Sequence, residues 1–507
     1  TEHSTVEHHD VLIVGAGLSG IGAACHLRSR LPNRSFVLLE GRETLGGTWD
    51  LFRYPGVRSD SNMYTLGYSF QPWTEPRAIA DGAAILRYLH DTARAHGIEQ
   101  HIRFSHRVLR ASWCSKQARW TVEAERGPEK ELVRYTCDFL CLCSGYYDYA
   151  EGHRPPFPGE ERFQGRVVHP QFWPESLDYA HQRVVVIGSG ATAVTLVPEL
   201  AKKAAHVTLL QRSPTYIVSR PARDRLAELA SRWLPEKLAY GLTRWRKVLL
   251  DILSYTMVRR WPGFGSRLII DNARALLGAG FDVATHLTPT YKPWDQRICL
   301  SPDAAFFDAL KSGRASMVTD HIESFTDTGL LLRSGQRLDA DLIVTATGLK
   351  MKILGDIELT VDGERREPSK SLCYKGMMLS DVPNLAFTFG YTNASWTLKV
   401  DLSCEYLCRL LEHMERRGFT RCVPRPDPSV EQSPFLDFSA GYVQRALEML
   451  PKQGSAPPWR LHQNYVLDLL MLRLGAVDDG AMEFSREAGE TKDTASCCSG
   501  QGTREAA

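Results

Sequence analysis

Two segments of the chain, DVLIVGAGLSG (residues 10–20) and RVVVIGSGATA (residues 183–193), each run four apolar residues straight into a glycine turn. An unbroken apolar tetrad predicts a strand buried on both faces, as in a parallel sheet with helices above and below. In the first segment Gly15, Gly17 and Gly20 have the G-x-G-x-x-G spacing. An amphipathic helix with Leu18, Ile21 and Cys25 on one face is predicted to follow. A second strand, SFVLLE, ends at Glu40, about 20 residues beyond the third glycine. Each part has a physical task. Gly15 permits the sharp turn, Gly17 lets backbone approach a pyrophosphate, and Gly20 lets helix pack on strand. The helix N-terminus at Ser19 presents N–H groups and a positive dipole end to phosphates. The Glu40 carboxylate accepts hydrogen bonds from a ribose diol and repels a 2′-phosphate, so this site suits FAD or NAD.

The second segment repeats the logic and changes the selector. Gly188, Ser189 and Gly190 form the turn, Ala191 and Thr192 open the helix, and Ala193 replaces the third glycine, which the fingerprint permits. The following strand, HVTLLQRS, ends in Arg212 and Ser213 in place of an acid. A guanidinium pairs with a 2′-phosphate through two hydrogen bonds, and a hydroxyl adds a third. This site reads as selective for NADP. One chain with a diol-selecting site first and a 2′-phosphate-selecting site second points to a flavin reduced by NADPH. The expected fold is α/β, with two Rossmann-like dinucleotide-binding domains and a helical insertion.

Composition narrows the setting. The chain has 507 residues, 43% hydrophobic and 24% charged, the balance of a globular protein. A net charge of +2 gives no bulk attraction to nucleic acid. TEHSTVEHHD has no signal-peptide character, and no apolar run reaches the roughly 18 residues of a membrane span. Twelve scattered cysteines in a long chain predict reduced thiols and a cytoplasmic location. Cys141 and Cys143, alternating on a predicted strand, read as small buried apolar side chains, and no metal site is expected. The stretch GRETLGGTWDLFRYPGVRSD has no cysteine for disulfide exchange with a flavin, and Trp49 stands where a thiol would be needed. Reduced flavin must therefore pass its electrons to oxygen or to another acceptor.

Between the glycine turns lies FQGRVVHPQFWP, residues 163–174, with no apolar period of 3.6 or 2. Its Phe163, Gly165, His169, Trp173 and Pro174 resemble the fingerprint F-x-G-x-x-x-H-x-x-x-W-[P/D] of Baeyer–Villiger monooxygenases. GGTWD (46–50), RYPGVRSDSNMY (53–64) and IVTATG (343–348) are also similar to that family, and the likeness runs from about residue 10 to 475. In detail the chain looks closest to bacterial members that oxidise ketones and S-oxidise thioamide prodrugs. The resemblance implies FAD and NADPH as cofactors, O2 and a ketone or sulfur compound as substrates, and a C4a-peroxyflavin as oxidant. It implies that the fingerprint links the two nucleotide domains and helps control their relative motion. Pro170 departs from the Thr common after the histidine and stiffens that linker.

The same resemblance assigns residues. Arg297, in KPWDQRICLSPD, matches the arginine over the flavin, a permanent cation for charge developing on oxygen. Its neighbour Gln296 stands where many relatives carry Lys. Asp60 matches the acid that orients that arginine. Thr48, Trp49, Asp50 and Leu51 would line the flavin pyrophosphate and ring, Val108 would meet adenine through its backbone, and Arg58 and Ser59 would lie toward the nicotinamide. Thr347 and Gly348, like Cys143, Ser144 and Gly145, end strands at cofactor edges.

The flavin domain is expected over residues 1–150 and again over 336–478, with the NADP domain at 151–220 and 290–335 and a disordered tail over 479–507. A basic, Trp-rich helical insertion fills 221–289. It reads either as a membrane-surface helix or, preferred, as a cap on the NADP domain that buries Leu and Trp. Two other functions stay open: a flavin monooxygenase acting on nitrogen or sulfur only, and a cofactor-binding sensor without turnover.

Overall fold

A computed structural model of the protein describes residues 6–436 and 438–486. The tail cysteines Cys497 and Cys498 lie outside the described residues. Six strands of the first half build most of the larger sheet: β1 (Glu7–Val14), β2 (Phe36–Leu39), β3 (Ile102–Arg103), β4 (His106–Cys114), β5 (Arg119–Arg126) and β6 (Glu131–Leu142). Strands β6, β1, β2 and β3 lie side by side in parallel, while β4, β5 and β6 form an antiparallel meander. Val11 and Ile13 pack into the core on one face, Leu12 and Val14 into the core on the other, which is why the tetrad is uniformly apolar. β1 starts four residues before that tetrad; its polar first half pairs with β6 alone.

Helix α1 (Leu18–Arg30) is buried at every residue from Leu18 to Leu27, so it is not the amphipathic helix expected. The sheet covers one side and the helix Trp396–Arg417, from the far end of the chain, packs on another. That second cover is invisible to a local pattern.

The smaller sheet has five parallel strands. Its order is Ala315–Thr319, β10 (His206–Gln211), β9 (Arg183–Ile187), Leu342–Thr345 and β8 (Arg166–Val168). Two expectations change here. The middle of FQGRVVHPQFWP is an edge strand, β8, and three residues are too few for a period to be read. Leu342–Thr345, expected at the start of the returning flavin segment, belongs to this second sheet, so the return falls later than residue 336. The strands Glu358–Val361, Glu364–Arg366 and Leu385–Phe387 then complete the larger sheet.

The chain leaves the first sheet through β7 (Tyr147–Gly152) and comes back through Leu349–Met351, and these two crossings pair antiparallel. The insertion is helical, as Arg225–Trp233, Glu236–Arg260, Pro262–Leu277 and Val283–His286. It is not a cap on the second unit alone. The long helix Glu236–Arg260 packs on Met63–Leu66 of the first, and its Leu and Trp side chains are exposed. The start of the expected disordered tail is instead ordered, because Met482–Ser485 pairs with Arg421–Pro424.

Candidate active site

The first glycine turn, residues 46–49 and the loop 58–61 enclose a cavity of about 600 Å³, within the range of small-molecule and cofactor sites. Gly15 has φ +101°, and a Cβ there would lie 2.5 Å from the Cys143 carbonyl oxygen, so only glycine fits. The N-cap residue of α1, Gly17, offers no side-chain hydrogen bond, so the first-turn N–H groups are left for a ligand. Glu40 is 6% exposed and fastens the turn. Its carboxylate accepts from the Ala16 N–H at 2.7 Å and the Arg42 N–H at 2.9 Å. Burial pushes its pKa up, and those two N–H groups and Arg42 pull against the rise.

Gly15, Gly17, Ser19, Glu40, Thr48, Trp49, Arg58, Ser59, Asp60, Val108 and Arg297 all line this one cavity. Gly20, Asp50 and Leu51 are not among its lining residues. Gly20 sits against the Gly15 carbonyl. Asp50 pairs with Arg42 at 2.5 Å and with Arg53 at 2.7 Å, which holds its carboxyl below the usual range despite partial burial. Leu51 ends the short helix Thr48–Leu51.

Arg297 lines the cavity together with Asp60, Tyr146 and Tyr147, and the charge of Asp60 and the phenols of Tyr146, Tyr442 and Tyr147 act on its guanidinium. Burial alone would lower its pKa; the Asp60 charge and then the phenols outweigh burial and hold it above the ordinary arginine value. No ion pair within 4.0 Å joins Arg297 to Asp60 among the described residues, although both line the cavity. The segments 58–60 and 297–300 cross here, tied by the Arg58 guanidinium donating to the Leu300 carbonyl at 2.9 Å. Ser59, 2% exposed, has a buried hydroxyl with no protein partner, and so has the Nε of Arg58. Orphaned polar atoms beside an uncapped helix end fit a polar cofactor.

One wall comes from residues that the sequence could not place, among them the loop GYTNASW (390–396), on which pocket shape was expected to depend. Tyr146, Tyr391 and Trp396 line the cavity, and the Trp396 indole N–H donates to Ser19 Oγ at 2.8 Å. Tyr146 stacks on Trp396 at 4.8 Å. Trp396, the last residue of that loop, lies 377 residues from Ser19 in sequence, and no spacing in the loop announces the contact.

The second glycine turn lies outside this cavity, at the carboxyl edge of the smaller sheet. Gly188 has φ +133°, and a Cβ would lie 2.2 Å from the Ala346 carbonyl oxygen. Ser189 and Gly190 lead to the helix Ala191–Leu200, which includes Ala191, Thr192 and Ala193 and likewise lacks a side-chain cap. Arg212 and Ser213 are exposed just beyond β10. Arg445, from the helix Gly441–Ala446, completes a cationic corner that the sequence did not announce. Its pKa is lowered first by partial burial and then by the Arg212 charge, and neither arginine has an ion-pair partner among the described residues. The loop 53–60 joins the two places: Tyr54 and Gly56 pack on the helix Ala191–Leu200, while Arg58 to Asp60 face the cavity.

The fingerprint fastens the second sheet to the crossings. His169 Nε2 donates to the Gly348 carbonyl at 3.2 Å, and Nδ1 accepts from the Gln171 N–H at 3.2 Å. Burial lowers the pKa of this ring. Gln171 Nε2 donates to the Asp148 carbonyl of β7 at 2.7 Å. Phe163 and Trp173 are buried in two different cores, and Pro174 is exposed. A Cβ on Gly165 would lie 2.5 Å from the Asp341 carbonyl, so this glycine is needed for close packing. Pro170 opens a short 3-10 turn, where its missing N–H costs nothing. Thr347 Oγ1 donates to the His153 carbonyl at 2.6 Å.

Comparisons agree with this geometry. A family model described as flavin-binding monooxygenase-like matches residues 8–228. The chain is 53% identical over 482 residues to the FAD-containing monooxygenase EthA of Mycobacterium tuberculosis, covering 95% of this chain and 98% of that protein. It is 46% identical over 484 residues to the probable FAD-binding monooxygenase AlmA of Acinetobacter baylyi, covering 95% and 97%. In fold it is similar to an oxidised steroid monooxygenase bound to NADP, with a TM-score of 0.73, 22% identity, and coverage of 94% of this chain and 100% of that one. The chain therefore belongs to the flavin-binding monooxygenase family.

Proposed function

We propose that the protein is an FAD-dependent, NADPH- and O2-consuming monooxygenase of Baeyer–Villiger type. It converts ketones to esters or lactones and also oxidises thioether or thioamide sulfur. The observation that carries this reading is Arg297: a permanent cation that lines the same cavity as the first glycine turn, together with Asp60, Tyr146 and Tyr147. FAD, reduced by NADPH, supplies the oxygen-activating ring. The side chains supply the rest. The N-terminus of α1 holds pyrophosphate, Glu40 holds the ribose diol, and the backbone at Val108 borders adenine. Arg212, Ser213 and Arg445 hold the 2′-phosphate. Arg297 stabilises negative charge gathering on a carbonyl oxygen, and Asp60 positions it. Relatives named as FAD-containing monooxygenases, and a fold shared with a steroid monooxygenase bound to NADP, support the reading.

The test is product analysis with FAD, NADPH and labelled O2 over a panel of ketones and thioethers. Ester carrying one labelled oxygen atom is the expected product. Sulfoxide or N-oxide alone, with no ester from any ketone, would replace this reading with heteroatom oxygenation. Cofactor binding without NADPH turnover would replace it with a sensor.

A further inference from the structure

The long helix Glu236–Arg260 is inside out. Its buried face presents Tyr240, Thr243 and Arg244. Arg244 donates to the Tyr64 and Gly67 carbonyls at 3.0 and 2.7 Å and pairs with Asp401 at 3.2 Å. Its opposite face presents Leu238, Leu242, Trp245, Leu249 and Leu253 at helical spacing, all between 43% and 64% exposed. The helix Arg225–Trp233 adds two exposed leucines and Trp233, which is 81% exposed. Tyr465 packs against Trp245 with ring centres 5.7 Å apart, and the segment that follows it exposes Leu467, Leu470 and Leu474. Scattered surface leucines are ordinary, but a stripe of five exposed apolar side chains at helical spacing, beside a packed helix that exposes three more, marks an interaction surface.

Charge identifies the occupant. Between Arg225 and Arg260 the sequence has eight Lys and Arg against three Asp and Glu, in a chain whose net charge is only +2. Two of the three acids are already taken, Glu228 by Arg223 and Asp251 by Arg220. Arg225, Arg232, Lys237 and Arg260 are exposed and make no ion pair among the described residues. A second copy seated on this face through a two-fold axis would set like charge against like. A lipid surface with anionic headgroups meets both the cations and the apolar stripe, and tryptophan belongs at that boundary. No helix of the described residues is long and apolar enough to cross a membrane, so the contact is peripheral.

We propose that this face docks the protein on an anionic membrane surface, its leucines and tryptophans at the headgroup–acyl boundary and its free cations on lipid phosphates. The test floats the FAD-loaded protein with vesicles of equal parts phosphatidylglycerol and phosphatidylcholine. Binding is expected there and not with phosphatidylcholine alone, falling as salt rises, with tryptophan emission quenched by brominated lipid. Reversing two cations, Arg232→Glu with Lys237→Glu, should weaken binding about tenfold or more. Leu242→Glu with Leu249→Glu and Leu253→Glu should abolish it while FAD absorbance and the NADPH oxidation rate stay unchanged. Absence of binding to the anionic vesicles at low salt overturns the proposal. So does a concentration-dependent dimer, without lipid binding, that the triple leucine variant dissociates.

Discussion

A guanidinium among phenols does different work from one in solvent, because the low dielectric around it strengthens its pull on nearby charge. Replacing Arg297 with Ala should lower ester formation by about 10²–10³-fold, while NADPH oxidation continues and releases hydrogen peroxide. Gas chromatography of the ester beside a peroxide assay separates the two. Asp401 tests structure at the same scale. It accepts from the Ser69 N–H at 2.8 Å and pairs with Arg244, with His26 Nε2 at 3.2 Å. Burial would raise its pKa; His26, Arg244 and the Ser69 N–H outweigh burial and hold it below 3.8. The folded value is depressed, so this stabilisation is present above the unfolded value and is lost as pH falls through the folded one, a window below about pH 4. Asp401→Asn should cost about 3–5 kcal/mol by leaving Arg244 buried and unpaired. Urea titrations should show its stability flatter than the parent's in that acid window. Gly15, Gly188 and Glu40 were legible in the sequence because each answers a need set within a few residues. Asp401 was not, since its partners come from 157 to 375 residues away.

At the level of elements, the second glycine turn should tell NADPH from NADH by charge. Arg212→Ala and Arg445→Ala should each raise the KM for NADPH and leave that for NADH nearly unchanged, read by steady-state kinetics with both nucleotides. Just before the fingerprint strand β8, Gly165→Ala would press a methyl group on the Asp341 carbonyl and the Phe163 ring. The expected loss is about 1–3 kcal/mol, seen in thermal unfolding. Strands β1 and β9 announce themselves through four apolar residues in a row. β8 does not, because three residues on a sheet edge leave no period. The long helix misleads outright: its apolar stripe reads as core, and its arginine as rim, yet the structure reverses them.

For the whole molecule, two dinucleotide sites in one chain mean that ligand and fold are linked. FAD at a hundredfold excess over its Kd should stabilise the protein by about 2.7 kcal/mol, and NADP should add to that, checked by calorimetry with each ligand alone and together. The overall α/β plan was readable, because two glycine turns with opposite selectors admit few arrangements. The placement of the return was not, since Leu342–Thr345 looks equally apolar in either sheet. The outgoing and returning crossings, β7 and Leu349–Met351, have a mechanical consequence. A pair of antiparallel strands resists separation through its backbone hydrogen bonds. The two covalent tethers between the sheets are therefore linked to each other by backbone hydrogen bonds, so a load on one is shared by the other.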